Sequence, residues 1–385
     1  MKRLFKILAI IICAASAFSC FGADNGQLEG TVSPNPAAFL KTDAQKEMVS
    51  TLREIINGNL YTMDYTADYR LDELMTLGGA STNEGLIKAI MCNLTNLPLA
   101  SAASQMDYGC SGFIARSPEG DVLAGRNFDY HFASASNIFL HDYASKGYKS
   151  LCFASLPFLD IDAYVAGALS DGKTDLSMPT AASVYCCMDG MNEEGLFIAV
   201  LSLKGGGSIQ RDPAKASTTP SLIIRLCLDN CKTVDEAVET FKKYNFSSSD
   251  DINNCHFLIA DTSGKSVVVE YWRPGEEAPV ADIKAKDWTI NVIDADHVTN
   301  FYLTEPWRHL GGGQNRYDIL HSTLDEKGRV LTEDECMDLL KAVHSDLNPG
   351  EITSNTQWSV VYNLTKKTAT ICMNKDYTRK FHYTL

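Results

Sequence analysis

The apolar rhythm of the chain changes once, near residue 110. Ahead of that point the pattern is helical or absent. Residues 24–40 are polar, with Gly, Pro and Asn, and read as a tether without regular structure. Met48, Leu52, Ile55 and Ile56 fall at helical spacing and predict one helix, and Leu86, Ile87, Ala89 and Ile90 predict a second over Asn83–Cys92. From Cys110 onward, short apolar runs alternate with turns. Cys110–Arg116 and Val122–Asn127 flank Ser117-Pro118-Glu119-Gly120-Asp121. Ser183–Met188 and Gly195–Leu203 flank a turn over Asp189–Glu194. Cys255–Asp261 and Ser266–Tyr271 flank Thr262-Ser263-Gly264-Lys265, and Trp358–Leu364 and Thr368–Met373 flank Thr365-Lys366-Lys367. Each pair reads as a hairpin.

Helices interrupt these hairpins. One starts at Thr219-Pro220, with Pro at the first helical position and Leu222, Ile223, Leu226 and Cys227 on one face. Thr233-x-x-Glu236 and Thr332-x-x-Glu335 are capping-box patterns opening two more. Gly205-Gly206-Gly207 and Gly311-Gly312-Gly313 read as loops. The order of elements predicts an α+β fold of stacked antiparallel sheets with helices outside.

Composition narrows the function. The net charge is −14 and no Lys/Arg-rich stripe follows the extreme N-terminus, so nucleic acid is not an expected partner. Lys2, Arg3 and Lys6 precede an apolar stretch, Ile7–Ala15, too short to span a bilayer. Residues 1–19 therefore read as an export signal. Cleavage follows Ala17, or falls before Cys20, which would then carry a lipid anchor. The expected location is the periplasm, the cell surface or the extracellular medium. Setting aside Cys13 and Cys20, ten cysteines remain of the 12 in the chain. If Cys110 is a free nucleophile, the rest are odd in number, and buried free thiols are expected rather than a full disulfide framework. Cys227 and Cys231 stand at i,i+4 without a nearby His pair, so neither a metal nor a cofactor is expected.

The first hairpin carries the chemistry. With Arg116 facing Val122, Gly112 faces Arg126, and alternation puts Cys110, Gly112, Ile114 and Arg126 on one face. Arg126 becomes a diagonal neighbour of Cys110, at roughly 7–8 Å. A cation there favours the thiolate, the reactive form of the thiol. Asp129 can hold either the arginine or an α-ammonium group. If the chain is cut before Cys110, the residue's own amine, with an ordinary pKa of about 7.7–8.0, is the base. Taken alone, the hairpin favours a buried structural cysteine, with Arg126 a surface residue and Asp129 a turn residue.

Four further segments follow in order. They are Asp189-Gly190-Met191-Asn192-Glu193-Glu194-Gly195-Leu196, Val298-Thr299-Asn300-Phe301, Asn315-Arg316-Tyr317 and Thr356-Gln357-Trp358-Ser359-Val360-Val361-Tyr362. With Gly125-Arg126-Asn127-x-Asp129, they resemble the choloylglycine hydrolase and penicillin V acylase superfamily of N-terminal nucleophile amidases. The layout is most similar to its pro-segment-bearing, acid ceramidase-like branch. The resemblance covers residues 110–385 and implies a four-layer αββα sandwich. It implies that Cys110 attacks an amide carbonyl, that Arg126 and Asp129 position the thiolate and the free amine, that Asn300 donates to the oxyanion, and that Arg316 stabilises charge or orders Cys110. Ser202 stands where the bile-salt and penicillin branches place an Asn or Tyr as oxyanion partner, and the resemblance makes it a candidate substrate-binding residue: a serine reaches less far, so either its backbone serves or the pocket differs.

The resemblance also gives residues 20–109 a role as pro-segment, released by self-cleavage between Gly109 and Cys110 and remaining bound as a small subunit. Cys92 is then a candidate partner for Cys336 or Cys372, and homo-oligomer formation stays open. The implied activity is hydrolysis of linear, non-peptide amides of N-acyl compounds, with bile salts, penicillin V, N-acyl amino acids, N-acylethanolamines and ceramides all open as substrates. An N-acyltransferase using the same acyl-enzyme and a non-catalytic exported binding protein are the alternatives. A papain-like Cys–His protease fits poorly, because the local motif around its cysteine is missing and no partner stands out among the eight histidines.

Overall fold

The computed structural model describes residues 38–56, 58–97, 108–130, 137–143, 146–159, 175–248, 253–279, 288–348 and 354–385. The export signal, Cys20 and most of the tether lie outside them. Two sheets carry the architecture. A nine-stranded sheet runs in the order Arg53–Ile56, Leu60–Tyr65, Asn137–Asp142, Ser150–Ser155, Cys187–Asn192, Phe197–Lys204, Asn253–Ala260, Ser266–Trp272, Thr289–Asp294. A six-stranded sheet runs His297–Val298, Tyr108–Arg116, Val122–Tyr130, Thr356–Asn363, Thr368–Met373, Phe381–Thr384. Pairing within both is antiparallel, except that Leu60–Tyr65 runs parallel to Asn137–Asp142.

The sheets face one another through strands Tyr108–Arg116 and Phe197–Lys204. Helices Pro220–Asn230 and Val234–Lys243 cover the outer face of the larger sheet, and helices Gln314–Glu326 and Glu333–Ala342 cover the smaller. This is the αββα sandwich of the expected α+β class. Strand alternation assigns the layers. Along the first hairpin, Cys110, Ile114, Ala124 and Phe128 point into the core between the sheets. Phe113, Ala115 and Leu123 point the other way, onto Leu320, Leu324, Leu339 and Leu340 of the outer helices. The hairpin pairs as predicted, with Arg116 opposite Val122 and Gly112 opposite Arg126.

Three sequence expectations need correction. The helix through Met48 ends at Val49, and Arg53–Ile56 is a strand paired with Leu60–Tyr65. Ile55 and Ile56 are β-branched, and a partner strand offers what a helix extension does not. The turn placed over Asp189–Glu194 falls later. The strand continues to Asn192, whose Oδ1 accepts from the Leu196 amide at 3.0 Å across the turn. Asp189 stays inside the strand because buried donors satisfy its carboxylate. Helix Gln314–Glu326 was not expected, and Gly311–Gly312, read as loop, pairs with Asn300–Phe301.

Of the capping boxes, that at Thr332 is complete, whereas Glu236 accepts from the Lys232 amide and leaves the box at Thr233 half-formed. Each of the ten described cysteines is a free thiol. Cys92 is exposed, whereas Cys336 and Cys372 are buried under the outer helices of the smaller sheet, so neither pairing suggested for Cys92 is made. Residues 38–97 form no separate body: Leu60–Tyr65 pairs with Asn137–Asp142 over six positions, and Tyr65, Leu86 and Ile90 join the common core.

Candidate active site

Cys110 opens toward the space between the sheets and is fully buried. Its amide donates to Asn300 Oδ1 at 2.8 Å, and its carbonyl accepts from Arg316 Nη1 at 2.8 Å. Its thiol lies 3.7 Å from the Val200 carbonyl. Burial pushes the thiol pKa up to about 11, with Asp129 adding to the rise and the Arg126 guanidinium opposing it. In the uncut chain the group is therefore a thiol at neutral pH.

Arg126 is as buried as Cys110. Its Nη2 donates to the Val200 carbonyl at 2.6 Å, its Nη1 to the Asn127 carbonyl at 3.1 Å, and its Nε to Asp189 Oδ2 at 3.3 Å. A buried guanidinium needs a counter-charge, and Asp189 supplies it. Asp189 also accepts from Trp358 Nε1 at 3.0 Å and Tyr362 Oη at 2.6 Å. Trp358 is stacked between Phe128 and Phe153, at 4.1 and 4.4 Å between centroids, which locks that donor in place. Burial raises the Asp189 pKa, and Arg126 and the two ring donors oppose the rise.

Asp129 holds the other arginine. Its carboxylate accepts from Arg316 Nη1 at 3.2 Å, Thr356 Oγ1 at 2.6 Å and Ser345 Oγ at 3.1 Å. The pairing register shifts between Thr356 and Trp358, opposite Phe128–Asp129, a bulge of the kind that re-aims side chains. The sequence reading let Asp129 hold either its neighbouring arginine or an amine; the structure gives it Arg316 and gives Arg126 to Asp189.

Asn300 is oriented by its partners. Oδ1 accepts from both Cys110 N and Arg316 Nη2, each at 2.8 Å, so the oxygen faces them, and Nδ2 donates to the Ser202 carbonyl at 2.8 Å. Ser202 thus enters the site through its backbone. One hydrogen on Asn300 Nδ2 remains for another acceptor. The triple glycine was the signal that pattern reading passed over. A Cβ on Gly311 would lie 2.2 Å from the Asn300 carbonyl oxygen. Gly313 has φ +83° at the start of the helix that carries Arg316, and a Cβ there would lie 2.9 Å from Arg316 Nη2. Only glycine provides both the backbone conformation and the clearance.

All of Cys110, Arg126, Asp129, Asn300 and Arg316 therefore gather at one point, and Asp189 joins them. The arrangement can hold a sulfur nucleophile beside a cation, and it fixes the Cys110 nitrogen and carbonyl by separate groups.

Parts of this chain are similar to known proteins. The bile salt hydrolase/transferase of Clostridium perfringens (strain 13 / Type A) is 28% identical over 168 residues, 42% of this chain. The match spans about half, 47%, of that relative's length. Among solved structures, a mutant conjugated bile acid hydrolase from Clostridium perfringens aligns over 72% of this chain and 92% of its own, with 18% identity and a TM-score of 0.48. The penicillin V acylase from Agrobacterium tumefaciens aligns over 72% and 86%, with 14% identity and a TM-score of 0.39. The Caenorhabditis elegans ortholog of N-acylethanolamine-hydrolyzing acid amidase aligns over 72% and 100%, with 16% identity and a TM-score of 0.38. The family model of the linear amide C–N hydrolases, choloylglycine hydrolase family, matches residues 110–276 of this chain and opens at Cys110 itself.

Proposed function

We propose that this protein is an exported, self-activating cysteine amidase that hydrolyses linear amide bonds of N-acyl compounds. The observation that carries the reading is the setting of the Cys110 nitrogen. It already sits on Asn300 Oδ1 while Arg316 holds the carbonyl of the same residue, so cutting the Gly109–Cys110 bond would release an amine into a prepared site.

In the first step the Cys110 thiol attacks the Gly109 carbonyl carbon. The acyl group moves from nitrogen to sulfur, and water cleaves the thioester. This leaves a carboxylate on Gly109 and a free amine on Cys110. In turnover the amine takes the thiol proton and the thiolate attacks the substrate carbonyl. Asn300 Nδ2 donates its second hydrogen to the developing oxyanion, a contribution of about 2.7–4 kcal/mol for a well-placed donor. The protonated amine returns its proton to the leaving nitrogen, and the N–C bond breaks. Water, activated by the same amine, then releases the acid from the thioester. Arg126 lowers the energy of the thiolate, and Arg316 with Asp129 fixes the Cys110 backbone. The small fragment ending at Gly109 stays bound through its strand in the larger sheet.

The test is mass spectrometry of the purified mature chain beside Cys110→Ala. A large fragment beginning at Cys110, absent from the variant, is the expected outcome; an active, uncut wild type refutes the reading. A panel of N-lauroylglycine, N-palmitoylethanolamine, glycocholate and penicillin V then ranks substrates. The same panel with added taurine separates hydrolysis from acyl transfer.

A further inference from the structure

We infer that His256 and Glu270 form a buried charged pair whose work is to hold Asn300 against Cys110, an inference that rests on the reading of Cys110 as nucleophile. Neither residue has a part in the chemistry above. They face each other directly across strands Asn253–Ala260 and Ser266–Trp272, and both are fully buried. Such a pair persists in a core only where its polar atoms are satisfied.

Here they are satisfied in a way that fixes protonation. His256 Nδ1 lies 2.9 Å from Glu270 Oε1, and Nε2 lies 2.7 Å from the Thr299 carbonyl oxygen. The carbonyl only accepts. Glu270 also accepts, from the Leu303 amide at 2.8 Å, the Thr304 amide at 2.9 Å and Thr304 Oγ1 at 2.6 Å. Both ring nitrogens must then donate, so the ring carries a positive charge against a carboxylate. Burial pushes the Glu270 carboxyl up, yet the bonds from His256, Thr304 and Leu303 outweigh it and hold it below its ordinary value.

The pair grips the backbone on both sides of Asn300: the Thr299 carbonyl before it, the Leu303 and Thr304 amides after it. Thr299 Oγ1 adds a bond to the Gly313 carbonyl at 3.1 Å, tying the arch to the start of the Arg316 helix. Asn300 is held by its own side-chain partners only at the tip of this arch. The pairing of Asn300–Phe301 with Gly311–Gly312 holds the arch from one side only; without the buried pair its flanks at Thr299 and at Leu303–Thr304 loosen, and a displacement near 1 Å at a reacting centre costs about 10²-fold in rate. His256 and Glu270 are positioning residues, and neither touches substrate.

The experiment compares the full, self-processed wild type with Glu270→Gln and His256→Gln, on the panel member the wild type hydrolyses fastest. Active sites are counted by alkylation of Cys110 with iodoacetamide. The expected result is a cooperative melt, an alkylation rate and KM within about twofold of wild type, and kcat per alkylatable Cys110 lower by roughly tenfold to 10²-fold. Unchanged kcat per site in both variants, with only a lowered melting temperature, overturns the inference and leaves a purely structural pair. If both variants fail to fold, Thr304→Val, which removes one donor to Glu270 and leaves the pair in place, decides: a lowered kcat per alkylatable Cys110 at unchanged KM is expected, and unchanged kcat overturns the inference. If the wild type is uncut at Cys110, the proposed function fails by itself. Hydrogen exchange of the Cys110 amide then reads the placement of Asn300 in the uncut chain, with faster exchange expected in Glu270→Gln and unchanged exchange overturning the inference.

Discussion

Two arginines are fully buried among the described residues, and they have different surroundings. Arg225, on helix Pro220–Asn230, is enclosed by carboxylates: Nη2 is 2.6 Å from Asp229 Oδ1 and Nη1 is 3.3 Å from Asp142 Oδ2. Tyr69 Oη donates to Asp229 Oδ2 at 2.5 Å and lies 3.3 Å from Asp142 Oδ2, and Arg225 Nη2 donates to Ser150 Oγ at 2.8 Å. This cluster clamps the segment before Cys110 to the larger sheet. Arg126 has one carboxylate, Asp189, and spends its remaining donors on carbonyl oxygens beside a thiol. Arg225 also lies against a thiol, with Nη1 3.8 Å from Cys152 Sγ, but its charge is shared between two carboxylates and burial still holds that thiol well above its ordinary value. Arg126, held by a single shared carboxylate, still acts on the sulfur of Cys110. The number of counter-charges, rather than burial, separates the guanidinium read as structural from the one proposed to serve the reaction.

The largest expected effect tests the structural half of that contrast. Arg225→Met leaves Asp142 and Asp229 buried without their cation, and should cost about 5 kcal/mol, the upper end for breaking such a network. Chemical denaturation read by fluorescence checks it, and turnover per folded molecule should change little. Arg126→Met should cost less stability, about 3 kcal/mol, because Trp358 and Tyr362 still donate to Asp189. Its turnover should nevertheless fall about 10²-fold, measured as kcat per alkylatable thiol. Equal losses of activity in the two variants would erase the distinction.

A third expectation concerns pH. Burial, with Asp142 adding and Arg225 opposing, pushes the Asp229 pKa up to about 7. A carboxyl raised in the folded state binds its proton more tightly there than in the unfolded chain, where its pKa is about 3.9. Its stabilising contribution is therefore complete below about pH 4 and declines as pH rises to about 7. Denaturation midpoints of wild type and Asp229→Asn across that window should show the wild-type advantage shrinking as pH rises. The smallest effect belongs to Gly313→Ala, which forces a left-handed residue and crowds Arg316. A loss of roughly 1–2 kcal/mol in stability is expected, with a modest drop in kcat.

Much of the framework could be read from patterns. The register of the first hairpin, the Pro220 helix start, the Thr332 capping box and the hairpins through Cys255 and Thr356 follow from alternation, turns and caps, which are short-range. The same reasoning failed at Ile55–Ile56, where a distant strand overrode helical spacing, and at Asp189, which reads as a turn residue until its buried donors are seen. The strand Leu60–Tyr65 was missed because the sheet it joins is built mostly from residues much later in the chain. The triple glycine at 311–313 was read as loop because clearance around Asn300 and Arg316 is a property of the packed site.

The residues of the candidate site, Cys110, Arg126, Asp129, Asn300 and Arg316, were all nameable from the order of short motifs, and the side of the hairpin on which Arg126 stands followed from the two-residue repeat of a strand. Which carboxylate serves which arginine was not. Asp129 stands three residues after Arg126 whereas Asp189 is 63 residues away, and only the meeting of two sheets and a bulge at Thr356 gave Arg126 to the distant carboxylate and Asp129 to Arg316. Identity and local register are encoded in neighbouring residues. Partnership between buried charges depends on which groups remain unpaid by water after the sheets close, and that is a property of the whole packed core.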